Sequence, residues 1–203
     1  MTTFIPKLLR SQYVSENALG DPEVPYDPYS IGKVVSGGYW GAGGGVSAVF
    51  RKPPYQTLVV TGSRHRTVPD IGMHVGGCPF GISVQPCGPD RSDGIAAIGG
   101  GLYGLIGTSL AAPEFAGALA LYVQVHGRQG NFNNYLYAQA FLQNNHGPKA
   151  YHRNQPGFDG AYSNAYPPKG YNYLVGVGTP HIRTLLGFDY LPLAGDPQTP
   201  SNP

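Results

Sequence analysis

Apolar residues recur at Phe115, Leu119 and Tyr122 within "GTSLAAPEFAGALALY", the stretch that begins at Gly107. Steps of four and three place them on one face of a helix, so the pattern predicts a helix running to about Val125. Thr108 and Ser109 stand before the apolar run, as residues at helix starts do. Pro113 is expected in the first turn, where a missing N–H leaves no intrahelical bond unmade. A second helix is predicted from about Phe132 to Gln143. A last short one is predicted with Thr179 as cap and Pro180 in the first helical position, ending near Leu186. Upstream, "TLVVTGSRHRTVPDIGMHV" reads as a strand, a polar loop and a short buried strand near Ile71 to Val75. "GIAAIGGGLYGLIG" is apolar and laced with glycine, and leads as a buried strand straight into Thr108 and Ser109. A buried strand feeding a helix is an α/β arrangement. Residues 1–35 read as irregular, with "ALGDPEVPYDPYS" holding three prolines in thirteen residues, and residues 191–203 read as a disordered tail.

Composition agrees with many short elements. The 203 residues include 31 Gly, 20 Pro and 15 Tyr, with only 12% charged, and their length suits one domain or one large part of a domain. No run approaches the roughly 18 apolar residues that cross a bilayer, so no membrane partner is expected. The net charge is +2 and the basic residues are scattered, which argues against a nucleic-acid partner. The start "MTTFIPKLLRSQYV" has too short an apolar run for a secretory signal. Cys78 and Cys87 are the two cysteines, set in "CPFGISVQPC". They suit a disulfide closing a surface loop, or two reduced thiols; other metal ligands are lacking around them. His65, His74, His126, His146, His152 and His181 show no metal-ligand spacing.

The surroundings of Ser109 point beyond a helix cap. Ala111 and Ala112 beside it let another backbone approach closely, and the positive end of a helix dipole favours negative charge developing there. Ser109 is therefore the candidate nucleophile. Glu114, in the first turns of the helix, is explained by the same dipole. The glycine strip around Gly43, Gly44 and Gly45, in "GAGGGVSAVFRKPPYQ", leaves backbone open to pair with an extended peptide; it reads equally as a flexible loop.

These residues resemble the sedolisins, serine-carboxyl peptidases of the subtilisin fold. "GTSLAAPEFAG" resembles their nucleophile motif, and "GAGGGVSAVFRKPPYQ" their Gly-Gly-Gly-x-Ser…Phe…Pro-x-Tyr-Gln segment. "VPDI" is similar to their Val-Pro-Asp-Val strand, where Asp70 reads as a structural carboxylate, and "YNYLVGVGTP" to their Gly-Trp-Asp-x-x-Thr-Gly-Leu-Gly-x-Pro segment. Subtilisins share a Gly-Thr-Ser motif, but their His-Gly-Thr-His context is lacking here. The four matches fall in order over roughly residues 36–186.

The resemblance implies a subtilisin-like α/β fold, a parallel sheet with flanking helices. It also implies endopeptidase chemistry in which Ser109 attacks a peptide carbonyl, a glutamate is general base, an aspartate orients it and a second aspartate serves the oxyanion. Acidic pH suits a carboxylate base. The chain lacks a Ser-Gly-Asp-Ser-Gly motif. Glu23 and Asp27 have the spacing of base and orienter, but Pro25 lies between them and Pro22 and Pro28 flank them, so they read as loop acids. Residues 1–190 are accordingly expected to be the C-terminal part of a sedolisin-type domain, incomplete as a sheet. The partners implied are a peptide or protein substrate and the N-terminal part of the same peptidase; alternatively the chain is a non-catalytic peptide-binding module. Secretion is implied by the resemblance alone.

Sedolisins also carry a calcium site. Aligned on it, Arg153 and Asn172 stand where the aspartates belong, beside Gly176 and Gly178, with Asp159 the acid that a shifted alignment would supply. Calcium gains affinity from ligand charge, so the expectation is a lost site and no cofactor. The guanidinium of Arg153 either takes the cation's place, bonding carbonyls around Gly176 and Gly178 and the Asn172 side chain, or is a solvated surface group.

Overall fold

The computed structural model describes residues 16, 18–22, 39–41, 43–75, 94–105, 107–153, 157, 161–162 and 170–188. Cys78, Cys87, Glu23, Asp27, Asp159 and the 191–203 tail lie outside these residues.

Among the described residues eight short strands and three α-helices succeed one another as β1 (Gly20–Pro22), β2 (Tyr39–Gly41), β3 (Gly45–Arg51), β4 (His65–Val68), β5 (Gly94–Ile98), β6 (Gly101–Leu105), α1 (Thr108–His126), α2 (Asn133–Asn144), β7 (Tyr151–His152), β8 (Thr179–Pro180) and α3 (Ile182–Leu185). A 3-10 turn over Pro54–Leu58 lies between β3 and β4. The strands pair as β1–β2, β3–β4, β5–β6 and β7–β8, and every pair is antiparallel. The fold therefore mixes helix and strand, but the parallel sheet expected from the sequence is not among the described residues.

Five local expectations are corrected. "GIAAIGGGLYGLIG" is a hairpin, because Gly99 and Gly100 both take positive φ (57° and 85°) and turn the chain back on itself. The apolar "TLVV" run is no strand: Pro54 starts a 3-10 turn in which the Thr57 hydroxyl donates to the Pro54 carbonyl at 2.6 Å. The segment read as a polar loop holds β4, which pairs with β3 on one side. On its other side the Gln56 amide donates to the Thr67 carbonyl (2.8 Å) and accepts from its N–H (3.1 Å), acting as a surrogate strand. Thr179 and Pro180 form β8 against β7, and α3 is capped by His181 instead, whose Nδ1 accepts from Thr184 N–H. Ile71 to Val75 contributes a single bridge, Ile71 to Gly176, instead of a strand.

The helices agree more closely. α1 and α2 begin and end within a residue or two of the predicted bounds. Leu136, Tyr137 and Ala140 of α2 form the centre of the core with Tyr151, Tyr171, Val177, Leu185 and Leu186. Phe115, Leu119 and Tyr122 turn the predicted face of α1 onto it, with Tyr122 edge-on to Phe132 at 5.3 Å between ring centroids. Burial of large side chains on this one face is what anchors α1.

Candidate functional site

Ser109 is the second residue of α1, and its side chain is exposed. Gly107 precedes the helix with φ of 98°, a left-handed conformation that suits glycine, and its N–H donates to the Val75 carbonyl at 2.5 Å. That bond fastens the helix start to the segment after β4. The Leu110 and Ala111 N–H groups both turn to the Gly107 carbonyl, at 2.9 and 3.3 Å. The N–H groups of Thr108 and Ser109 are thus left at the open end of the helix, beside the hydroxyl.

Pro113 is the sixth residue of α1, one turn later than the sequence reading placed it. An N–H there would have donated to the Ser109 carbonyl, so the proline withdraws a ladder bond from the candidate nucleophile itself. Among the described residues no side chain bonds the Ser109 hydroxyl. Asp70, just past β4, is committed elsewhere: it bonds Arg66 at 2.5 Å and accepts from the Tyr137 hydroxyl at 2.8 Å. Tyr137 in turn accepts from the Gln56 amide at 2.8 Å. Burial, and then the negative charge of Asp70, push the Tyr137 phenol far above its ordinary range, so it stays a neutral donor. Burial alone would favour a neutral Arg66, but its bond to Asp70 and the charge of Asp70 hold its guanidinium above the usual value. Asp70 is thereby a structural carboxylate. Tyr137 carried no signal in the sequence, since it sits in a helix that reads as packing, whereas Gln56 closes the Pro-x-Tyr-Gln match of "GAGGGVSAVFRKPPYQ", a motif that does not by itself reveal these bonds.

The glycine strip divides into three different environments. Gly43 is exposed, with open space where a side chain would stand. A Cβ on Gly44 would lie 1.6 Å from the Tyr173 carbonyl oxygen, so this glycine admits the chain's own backbone. Gly45 has φ of 153° and pairs with Val68 in the β3–β4 ladder. Both Gly44 and Gly45 therefore have internal reasons for being glycine, while Gly43 faces outward.

Arg153 lies just past β7, half-buried against the 170–178 loop. Its Nε donates to the Val177 carbonyl at 3.1 Å, its Nη2 to the Ala140 carbonyl at 3.3 Å, and its Nη1 to the Asn144 side chain. Val177 sits between Gly176 and Gly178, as the guanidinium reading requires, but the amide engaged is Asn144 and not Asn172. The Oδ1 of Asn172 instead accepts from Leu174 and Val175 N–H at 2.8 and 2.9 Å, closing the loop on itself. Gly176 (φ 61°) brings this loop against the carbonyls of Pro69 and Asp70, and Gly178 (φ 122°) against that of His152. Among the described residues no three of His, Cys, Asp and Glu come together as a metal would need, and no helix is long and apolar enough to cross a membrane.

No family model and no curated protein matches this sequence. Among solved structures the chain is similar to a Pseudomonas sedolisin, a serine-carboxyl proteinase solved in complex with two molecules of pseudo-iodotyrostatin. The likeness has a TM-score of 0.53 at 23% sequence identity. It covers 85% of this chain and 45% of that one, so the chain spans less than half the length of the protein it matches. The overall arrangement is sedolisin-like in fold.

Proposed function

We propose that this chain is the nucleophile-bearing portion of a sedolisin-like serine endopeptidase, with Ser109 attacking the peptide carbonyl at acidic pH. The observation that carries the reading is the setting of Ser109. It is exposed in the first turn of α1, beside N–H groups of Thr108 and Ser109 that no described group accepts from, within a fold similar to a serine-carboxyl proteinase. Such N–H donors suit the oxyanion that forms when a hydroxyl adds to a carbonyl. Gly43 offers open backbone for an extended substrate.

The hydroxyl lacks an activating base within the described residues, and an unactivated serine is a poor nucleophile. The chain alone is therefore inert, and activity needs a portion supplying a glutamate base, its orienting aspartate and an oxyanion aspartate. Supplied with that portion, it hydrolyses peptides at acidic pH, and Ser109→Ala lowers kcat by ~10⁴-fold or more. Unchanged turnover in Ser109→Ala refutes the reading.

The engagement of Asp70 by Arg66 and Tyr137 favours a second reading, a non-catalytic peptide-binding module on the same scaffold. Peptide binding that Ser109→Ala leaves intact, with no turnover in the reconstituted protein, selects it. In either case the corner around Arg153 does not fit a calcium ion. A guanidinium already donates to the Val177 carbonyl, and the Asn172 oxygen is spent on two N–H groups. Arg153 takes the place that a cation would fill.

A further inference from the structure

From Pro28 to Pro69 the sequence holds no aspartate or glutamate. Within that stretch β3 and β4 set Arg51 opposite His65, and the Lys52 N–H donates to the Arg64 carbonyl at 2.9 Å, so cations far apart in sequence become neighbours. The first acid beyond it, Asp70, bonds Arg66 instead. Among the described residues no carboxylate pairs with Arg51, Lys52 or Arg64. The same end of β3 is apolar as well as basic. Val49 is 79% exposed and Phe50 70%, and every residue from Ala48 to Arg51 is exposed, so the strand offers both of its faces there. Ser47 sets this shape. Its hydroxyl accepts from the Val49 N–H at 3.2 Å and from the Phe50 N–H at 2.9 Å, where the β3–β4 register shifts between Val46 and Arg51. Two large apolar side chains thus stand out over backbone donors that are already satisfied.

We infer that this end of β3, together with Arg64, is a contact surface for an anionic lipid bilayer. Val49 and Phe50 enter the boundary between headgroups and acyl chains, and Arg51, Lys52 and Arg64 meet the negative headgroups. Such a contact is peripheral and needs no spanning helix. Charge complementarity makes the occupant anionic, and the backbone decides its class. The apolar layer of a bilayer offers an N–H no acceptor, so a segment that enters it must satisfy its own donors, as Ser47 does here. A peptide adding as a strand needs those two N–H groups free. A sulfated or carboxylated polymer has no apolar layer to receive Val49 and Phe50, and a nucleic acid would stack on Phe50 and leave Val49 in water. The inference is independent of the chemistry proposed for Ser109.

The test sediments the full chain with vesicles of phosphatidylcholine alone and of phosphatidylcholine with roughly 30% phosphatidylserine, at ~0.1 M salt. Binding to the mixed vesicles is expected to be at least ~10-fold tighter than to phosphatidylcholine alone. Each cation near such a surface contributes about fivefold, so Arg51→Gln with Lys52→Gln and Arg64→Gln is expected to weaken that binding by ~100-fold. Val49→Ser with Phe50→Ser keeps the cations and is expected to weaken it by ~10-fold or more. A melting temperature within ~2 °C of wild type shows that each variant is folded. Sedimentation with neither vesicle, or equally with both, overturns the inference. Undiminished binding by the triple glutamine variant overturns it as well. So does undiminished binding by the double serine variant, which assigns the cations to a soluble polyanion or a nucleic acid.

Discussion

Arg153 offers the sharpest test of how a single charged side chain can hold the 170–178 loop in place. Replacing it with alanine removes the donor to the Val177 carbonyl and one bond each from the Ala140 carbonyl, which the ladder of α2 also engages, and the Asn144 side chain. Val177 is fully buried, so its carbonyl is left to water entering the vacated space. A buried acceptor left unmade costs about 1–3 kcal/mol, and the two bonds lost at groups that keep other partners bring the sum to about 2–4 kcal/mol. For a chain of this size the loss corresponds to a fall of roughly 4–16 °C in melting temperature. Lysine carries the charge on a compact head without a fork, reaches fewer of the three acceptors, and is expected to recover less than half of the loss. Millimolar calcium added to the wild-type protein leaves its melting temperature within ~1 °C, because the acceptors it would need are engaged. Thermal melts followed by circular dichroism read all three. An Arg153→Ala melt within ~1 °C of wild type makes the arginine a solvated surface group, and a clear calcium-dependent rise in wild type refutes the substitution of a guanidinium for the ion.

Gly44→Ala and Gly43→Ala separate internal packing from an outward role. The first drives a Cβ into the Tyr173 carbonyl and is expected to cost ~3 kcal/mol or more, whereas the second meets open space and changes stability by under ~0.5 kcal/mol, both read by urea unfolding. Equal effects would undo the distinction drawn within the glycine strip. Tyr137→Phe removes a hydroxyl that bonds both Asp70 and Gln56 and is expected to cost about 2–4 kcal/mol by the same unfolding assay, a neutral result placing the network in water.

The parts of this fold that the sequence revealed are those in which one short-range rule acts alone. α1 and α2 were legible because large apolar residues recur at helical spacing and nothing in their flanks opposes it. The strands were not, because a strand is defined by its partner. β4 is polar in sequence and exists through its ladder to β3 and the side chain of Gln56, and Gly99 and Gly100 turn an apolar run into a hairpin that periodicity alone reads as one buried strand. At the candidate site, the position of Ser109 at a helix start was legible from its neighbours. The choice of Asn144 over Asn172 as partner of Arg153 depends instead on how α2 and the 170–178 loop meet, a long-range fact with no local signature. Gly44 shows the same limit from the other side, since glycine that admits a ligand and glycine that admits the chain's own carbonyl look identical in a sequence.

Pro113 joins stability and function in a single substitution. An interior helix proline costs ~3 kcal/mol, through the lost bond and the clash of its ring with the carbonyl four residues back, and that carbonyl belongs to Ser109. Nothing in the packing of α1 demands it, because Pro113 is exposed. Pro113→Ala should therefore restore the bond from residue 113 to the Ser109 carbonyl and raise the stability of the isolated chain by about 1–3 kcal/mol, less than the full penalty because the unfolded chain also gains freedom. If the first turn of α1 is shaped for the nucleophile, the same change should lower peptide turnover in the reconstituted protein while leaving substrate affinity near its starting value. Urea unfolding and amide exchange at residue 113 read the first effect, and turnover at acidic pH reads the second. A destabilised Pro113→Ala chain would mean that the ring itself supports the helix start. A stabilised chain with undiminished turnover would mean that the freed carbonyl contributes nothing to Ser109, and that the proline reflects only what this turn can tolerate.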